Sequence, residues 1–470
     1  MQKAVTKTDL EVPTLSDTTD ILTAQGESMG FIPLLLLTGA CQTADDGNFV
    51  GGFTTDLHTN MGSIVVADWV QTFAATSWLE FQVDDQTWLA SPPTWRPAGI
   101  ASEMALGIPF GTDVALRVAW DTGQTTGKTE TQTITTDPVP EGIPEVVSAE
   151  GMASQWDTEL SYLLVSMDGA GTSMDANYWT FIIDRQGRVV WAMESPEKRT
   201  TVQAQSSHDG TDLLIDHNSF WQLFDGGAKS QVVRVKIDGT VVETILTPGL
   251  YHPFVELGDG SVAWTQGTSS MMDILTVHAP TGEDTTVWDC ELFYESLGES
   301  EPCASNSIWW DESTDRFVIS FFTTESIVEI DHQSGTSIRW FGHLADAWAF
   351  EPEESAFYWQ HGAHYTSEGN LLVSAQASDT DQETVVREYA LDENNESLVE
   401  VWSFGEGEGV FGEMYGEAHR LPNGNTLHNY GTTTRIREVT SDGTVVWDVL
   451  WDEMTLGRST PLADLYAFAP

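Results

Sequence analysis

From about residue 51 onward, hydrophobic and polar positions alternate in short runs, the period-two pattern of half-buried β-strands. The first such runs are Ser63-Ile-Val-Val-Ala-Asp-Trp-Val70, Trp78-Leu-Glu-Phe-Gln-Val83 and Asp113-Val-Ala-Leu-Arg-Val-Ala-Trp120. They are rich in β-branched and aromatic residues and are separated by Gly, Pro and Asp turns, so residues 51–136 are expected to form a small β-sandwich domain. Asp137-Pro-Val-Pro-Glu-Gly-Ile-Pro144 follows, and its three prolines bias the backbone toward extended conformations. Residues 137–145 therefore read as a linker.

The chain from 146 to 470 repeats itself. A turn dipeptide precedes a strand at Asp209-Gly210, Asp259-Gly260, Glu368-Gly369 and Asn423-Gly424, and Thr314-Asp315 fills the remaining gap. The marker positions 210, 260, 315, 369 and 424 are 50, 55, 54 and 55 residues apart. A second element, a hairpin turn with a Val/Trp strand, recurs at Asp184-Arg-Gln-Gly-Arg-Val-Val-Trp191, Asp238-Gly-Thr-Val-Val242, Ser334-Gly-Thr-Ser-Ile-Arg-Trp340 and Asp442-Gly-Thr-Val-Val-Trp447. Weaker copies begin at Thr281 and Glu396. Six copies at this period, all strands and turns, predict a six-bladed β-propeller; an all-β solenoid or a pair of sandwiches are the alternatives. The whole is thus expected to be all-β. The stretch Ile108-Pro-Phe-Gly-Thr-Asp-Val-Ala-Leu-Arg-Val118 in the leading domain resembles the turn and sixth strand of a fibronectin type III (Ig-like) module.

In a propeller the innermost strand of each blade lines a central channel. His252 lies eight residues before Gly260 and His361 eight before Gly369, so both are expected to face that channel. Ser307 holds the matching place before Asp315, with Asn306 just ahead of it. His364 and His419 share another offset, five before the glycine. Three residues along a regular strand reverses the face, so these two point elsewhere unless a bulge intervenes. A neutral imidazole can attack an electrophilic sulfur or phosphorus and hold the group covalently. Asn306 is suited to donate a hydrogen bond to the non-bridging oxygens.

Charge narrows the partners. The 470 residues carry 19 Lys plus Arg against 72 Asp plus Glu, a net charge of −53, and only six are lysines. Nucleic acid and electrostatic docking on anionic lipid are excluded as partners, since both need a basic footprint. With 40% hydrophobic residues the chain is a folded protein and not a disordered acidic one. No run of about 18 apolar residues occurs. The longest apolar stretch, Phe31-Ile-Pro-Leu-Leu-Leu-Leu37, runs into Thr38-Gly39-Ala40-Cys41 and is similar to a bacterial lipoprotein signal, with Met29 as a second candidate start. Residues 1–41 are then an export region, Cys41 a lipidated residue, 42–50 a tether, and a lipid anchor the one link to the membrane. Another kind of export signal and a buried strand are the alternatives. The two other cysteines, Cys290 and Cys303, bracket twelve residues, and in an exported protein read as a disulfide; two separate buried thiols are the alternative.

Tyr251-His-Pro-Phe-Val-Glu-Leu-Gly-Asp-Gly260, Asn306-Ser-Ile with Val318-Ile-Ser320, Trp359-Gln-His361, Arg420-Leu-Pro-Asn-Gly-Asn-Thr-Leu427 and Arg458-Ser-Thr-Pro-Leu-Ala-Asp-Leu-Tyr466 together resemble the bacterial arylsulfotransferase family. The resemblance spans roughly residues 150–465. It implies a six-bladed propeller, often behind a small β-domain, working outside the cytoplasm as a periplasmic or cell-surface protein. It implies transfer of a sulfuryl group from an aryl sulfate donor to a phenolic acceptor through a sulfated histidine, with no cofactor. By the same resemblance His361 matches the nucleophile, His252 a channel histidine that binds the sulfuryl oxygens, and Asn306 the Asn of the family's His-x-Asn motif. The chain departs at two positions: Ala304 stands where that motif has His, and Phe322 where the family has Arg. These departures keep a second reading open, a non-catalytic surface propeller that binds a phenolic, glycan or protein ligand in a degenerate channel.

Overall fold

The computed structural model describes residues 49–470, apart from 85–86, 168–177, 221–224, 269, 381 and 453–454. The apolar run at 31–37, Cys41 and most of the 42–50 tether lie outside the described residues. The described chain is all-β, built of strands in several antiparallel sheets with short 3-10 turns and the helix Cys290–Leu297.

Two sheets come first. Met61–Gln71 lies between Val50–His58 and Gly99–Ala105, while Ala75–Val83 and Asp113–Asp121 pair antiparallel at the centre of the second sheet. The alternation read from the sequence sets their inner faces. Val65, Ala67 and Trp69 from one sheet meet Leu79, Phe81, Leu116 and Val118 from the other in a single buried core. Residues 136–145 form no regular element. Met61, Ile64, Leu106 and Phe110 share a second core with Leu163, Phe181 and Trp191 of the next sheet. The Ser63 hydroxyl donates to the Val190 carbonyl across that contact (2.7 Å).

Six sheets of four or five strands follow among the described residues. In each of the middle ones the turn dipeptide joins the edge strand to the second strand. Leu250–Glu256 turns through Asp259-Gly260 into Val262–Gln266, and Tyr358–Tyr365 turns through Glu368-Gly369 into Leu371–Gln376. Gly260, Gly369 and Gly424 adopt φ of +84°, +81° and +88°, which costs glycine nothing. Asp315, which stands in the glycine's place in the one divergent copy, also takes a left-handed φ of +54°. The second repeated element forms the hairpin into an outer strand, as in Ser326–Asp331 with Ser337–Gly342 and Arg435–Val439 with Val445–Trp451.

The chain ends exchange strands. The late strand Leu456–Leu462 becomes the edge strand of the first of these sheets by pairing with Tyr162–Met167. In return Val146–Gly151 pairs with Val445–Trp451 at the outer edge of the last sheet. A buried ion pair sits at this junction. Arg185 Nη1 donates to Glu438 Oε2 (2.7 Å), and Glu438 Oε1 accepts from Asp157 N (2.8 Å) and Asn425 Nδ2 (2.6 Å). The Arg185 guanidinium also lies over the rings of Trp156 (5.1 Å) and Trp447 (4.8 Å), which adds a cation–π contribution.

Cys290 and Cys303 form a disulfide, with Cα atoms 6.3 Å apart, as the cysteine count led us to expect. Cys290 opens the helix, which Asp289 caps by accepting from the backbone N–H groups of Glu291 and Leu292. A crosslink closing a loop of this size contributes about 3 kcal/mol.

Candidate active site

A cavity of about 180 Å³ is lined by Gln205, Val255, Ile308, His364, His419 and Thr460 among others, one residue here from the edge strand of each of the six sheets. The six edge strands therefore converge on one space. Directly beside it the sequence-predicted residues sit in three matching irregularities. Leu250 pairs with Gln266 and Phe254 with Trp264, so four steps on one strand oppose two on the other, and His252 falls inside that bulge. Tyr358 with Gln376 and Gly362 with Ser374 repeat the same mismatch around His361. Between Ser305 with Phe321 and Ser307 with Ser320 a smaller bulge contains Asn306. Bulges re-aim side chains and end regular pairing, which is why they recur next to active sites.

His364 and His419 line the cavity too, their rings 5.9 Å apart. For His364 the reason is that pairing is irregular around His361, so strand parity does not carry from one to the other. The strand of His419 pairs regularly with Thr426–Asn429, so no bulge accounts for its place. His419 Nε2 lies 2.9 Å from the Ser459 carbonyl and 3.6 Å from Glu417 Oε2.

Arg458 ties the cluster together. Its buried Nη2 donates both to the Asn306 carbonyl (2.5 Å) and to the His361 carbonyl, so one nitrogen joins two of the three bulges. Its Nη1 stands 3.5 Å from Glu417 Oε2. Burial would raise the Glu417 carboxyl, but His419, Arg458 and the Ser459 N–H outweigh it and hold the group at about 2. Asn306 Nδ2 donates to the Gln360 carbonyl (2.6 Å), and Gln360 Nε2 in turn reaches the carbonyls of Phe321 (3.1 Å) and Ser326 (3.0 Å).

His361 is partly exposed. Its Nδ1 lies 2.9 Å from the Trp359 carbonyl; a carbonyl only accepts, so Nδ1 carries the proton and Nε2 keeps its lone pair. Trp359 holds a left-handed φ of +47°, strained for a bulky residue, and this turns its carbonyl toward the imidazole. Burial, and beyond it the Arg458 charge, bring the His361 pKa down to about 4, although the Trp359 hydrogen bond pushes the other way. His252 is only 7% exposed. Burial, then the charges of His361 and Arg458, hold it well below its ordinary value against a hydrogen bond to the Ser305 backbone. Both imidazoles are neutral at pH 7, the state a nucleophile requires.

Rings surround His252: Tyr251 at 4.4 Å, Tyr415 at 6.1 Å and Phe322 at 6.3 Å between centroids. Phe322, the position at which the resemblance implies an Arg, is thus in the site. Ala304 is buried, and its N–H donates to Thr323 Oγ1 (3.0 Å).

Residues 303–450 match the arylsulfotransferase (ASST) family model. The matched segment contains Asn306 and His361; His252 and Arg458 lie outside it. A comparison with the curated proteins finds no match. Among solved structures, one from Bacteroides caccae, a protein of unknown function, is 17% identical, with 64% of this chain and 99% of that one covered at a TM-score of 0.45. Virginiamycin B lyase from Staphylococcus aureus is 10% identical over 64% of this chain and 87% of its own, at a TM-score of 0.38. The β-propeller domain of Cps50 (Swd1) from Myceliophteria thermophila is 12% identical over 65% and 89%, at a TM-score of 0.39.

Sequence reasoning missed Arg458 as a site residue, as well as Tyr251, Tyr415 and Glu417. Arg458 stands in the C-terminal segment that already carried part of the family resemblance, and Tyr251 immediately precedes His252.

Proposed function

We propose that this chain is an arylsulfotransferase-like enzyme: a β-sandwich followed by a six-bladed β-propeller whose channel holds His361 as nucleophile. His361 Nε2 attacks the sulfur of an aryl sulfate, an N–S bond forms, and the S–O bond to the aryl group breaks. The departing phenolate takes up a proton. In the second half an acceptor phenol loses a proton, its oxygen attacks the sulfur, and the N–S bond breaks to return neutral His361. Protons and charge balance over the two halves with no cofactor. The observation that carries this reading is that His252, Asn306 and His361 each sit in a bulge, with the buried Arg458 donating to the carbonyls of Asn306 and His361 and its charge felt by His252. His252 is suited to bind the sulfuryl oxygens, with Asn306 nearby. Arg458 supplies positive potential in a channel that has Phe322 where the family has Arg.

Phe322 and Ala304 favour a second reading, a ligand-binding propeller whose channel has lost catalysis. A chromogenic aryl sulfate with a phenol acceptor separates the two. The enzyme reading expects release of phenol by the wild type and none by His361→Ala. Turnover persists until His361 protonates, so its own acid limb falls near pH 4. Lack of turnover across donors and pH leaves only the binding reading.

The chain is further proposed to be exported and anchored at Cys41 as a periplasmic or cell-surface lipoprotein. Labelling with a palmitate analogue is expected to disappear in Cys41→Ser, and unchanged labelling would refute the anchor.

A further inference from the structure

Asp273 is a buried carboxylate that the steps above do not use. It is 1% exposed, directly ahead of the strand Ile274–His278. Its Oδ2 accepts three hydrogen bonds, from the Tyr251 hydroxyl (2.6 Å), Ser305 N (2.7 Å) and Ser305 Oγ (2.7 Å). Its Oδ1 has no hydrogen-bond partner among the described residues. Burying a carboxylate with hydrogen-bond donors alone and no adjacent cation is costly, so its placement calls for an explanation.

The donors supply one. Tyr251 precedes His252 and meets its ring edge-on at 4.4 Å. Ser305 precedes Asn306 at the edge of the third bulge, and its backbone also hydrogen-bonds His252. The Tyr251 hydroxyl oxygen also lies 3.2 Å from the Ser305 carbonyl, a longer contact that shares the one proton it donates to Asp273. The backbone of Asp273 is itself fixed: Cys290 N donates to its carbonyl (3.1 Å), and its neighbour Met272 bridges to Cys303. The disulfide segment therefore anchors the carboxylate, and the carboxylate reaches two irregular strand starts that lack regular pairing of their own.

We propose that Asp273 is a positioning residue, fixing His252 and Asn306 relative to one another through Tyr251 and Ser305; this rests on the sulfuryl-transfer reading of the site. Bulged backbone has few ladder hydrogen bonds to hold it, and a shift of about 1 Å at such a site can cost 10²-fold in rate. Burial raises the Asp273 pKa to about 6, against the three hydrogen bonds that lower it. Burial and then the Asp273 charge push Tyr251 well above its usual value, so its hydroxyl stays protonated and keeps donating. Among the described residues Tyr294 also feels Asp273; its hydroxyl lies within hydrogen-bond reach of Thr324 (2.6 Å) and Ser326 (3.2 Å), and burial raises it to about 12. As pH falls through about 6, Asp273 takes a proton on the unpartnered Oδ1, the three hydrogen bonds to Oδ2 lose their charge assistance, and the hold on Tyr251 and Ser305 loosens.

The test uses the full chain and the chromogenic aryl sulfate, with kcat and KM followed across the acid range. The wild type is expected to show a limb near pH 6 above the His361 limb near 4. Asp273→Asn, which is neutral like the protonated acid, is expected to fold, to hold kcat at every pH near the level the wild type reaches below its upper limb, and to show no limb of its own near pH 6. Asp273→Ala and Tyr251→Phe are expected to lose about 10²-fold in kcat with KM near the wild-type value. An upper limb that survives in Asp273→Asn, or wild-type kcat in Tyr251→Phe, overturns the proposal. Absence of turnover in the wild type sinks the enzyme reading instead, and Asp273 is then judged by NMR of the His252 imidazole. An inflection near pH 6 that Asp273→Asn removes supports the positioning role; an unchanged inflection, or none in the wild type, contradicts it.

Discussion

Arg458→Met is expected to lower sulfuryl transfer by about 10²–10³-fold, the usual loss when a preorganised electrostatic group is removed from a transition state. Three effects act together. The channel loses its buried cation, the carbonyls of Asn306 and His361 lose their shared donor, and the buried Glu417 charge keeps only His419 and the Ser459 N–H and hydroxyl among the described residues. Breaking a buried pair from one side costs about 3–5 kcal/mol, so the melting temperature should drop as well. The double variant Arg458→Met/Glu417→Gln separates the effects, because it removes both charges. It is expected to recover much of the stability and none of the rate. The pH profile gives an independent reading. Arg458 helps to depress His361, so removing it raises that pKa from about 4 toward its ordinary value and moves the acid limb upward. Full activity in Arg458→Met would show that the cation only holds strands together.

The second large effect is on stability, at the junction of the chain ends. Glu438 has no exposed side-chain surface, and Arg185 beside it is 8% exposed. Glu438→Ala leaves the guanidinium buried without its partner and strips the acceptor from Asp157 N and Asn425 Nδ2. The expected cost is about 3–5 kcal/mol, read as a lower denaturation midpoint. Glu438→Gln, which keeps both oxygen and shape, should cost clearly less. An unchanged midpoint in Glu438→Ala would mean that the strand exchange between the chain ends is held by Val146–Gly151 and Leu456–Leu462 alone.

Repetition is what made the fold legible. The dipeptides at Gly210, Gly260, Gly369 and Gly424 each need a left-handed turn, and that local demand leaves a mark in the sequence wherever an edge strand turns back. Even the divergent copy keeps the conformation, through Asp315. Counting back from those turns located His252, Asn306 and His361 because the bulges recur at one place in the repeat. The same counting misjudged His364, since strand parity holds only while pairing is regular, and it misjudged His419 although its strand pairs regularly. Arg458 escaped for another reason. Its strand is lent by the C-terminus to a sheet begun near residue 160, so it stands in no register with the dipeptide markers. Asp273 left no signal at all: a lone acidic residue between loop and strand is ordinary until its three donors are seen.

The acidity of the chain now has a sharper meaning. At −53 it repels an anionic donor, and added salt screens that repulsion only at long range. In the proposed transfer, attraction at short range falls to Arg458, which lines the cavity where the six edge strands meet.

The central claim is that His361 carries the sulfuryl group. Its most direct test is peptide mass spectrometry under non-acidic conditions after incubation with an aryl sulfate and no acceptor. The account predicts one added SO3 on the peptide bearing His361, lost on addition of a phenol and never formed in His361→Ala. An unmodified His361 in a preparation that still transfers the group, or the same adduct on a different residue, would contradict it.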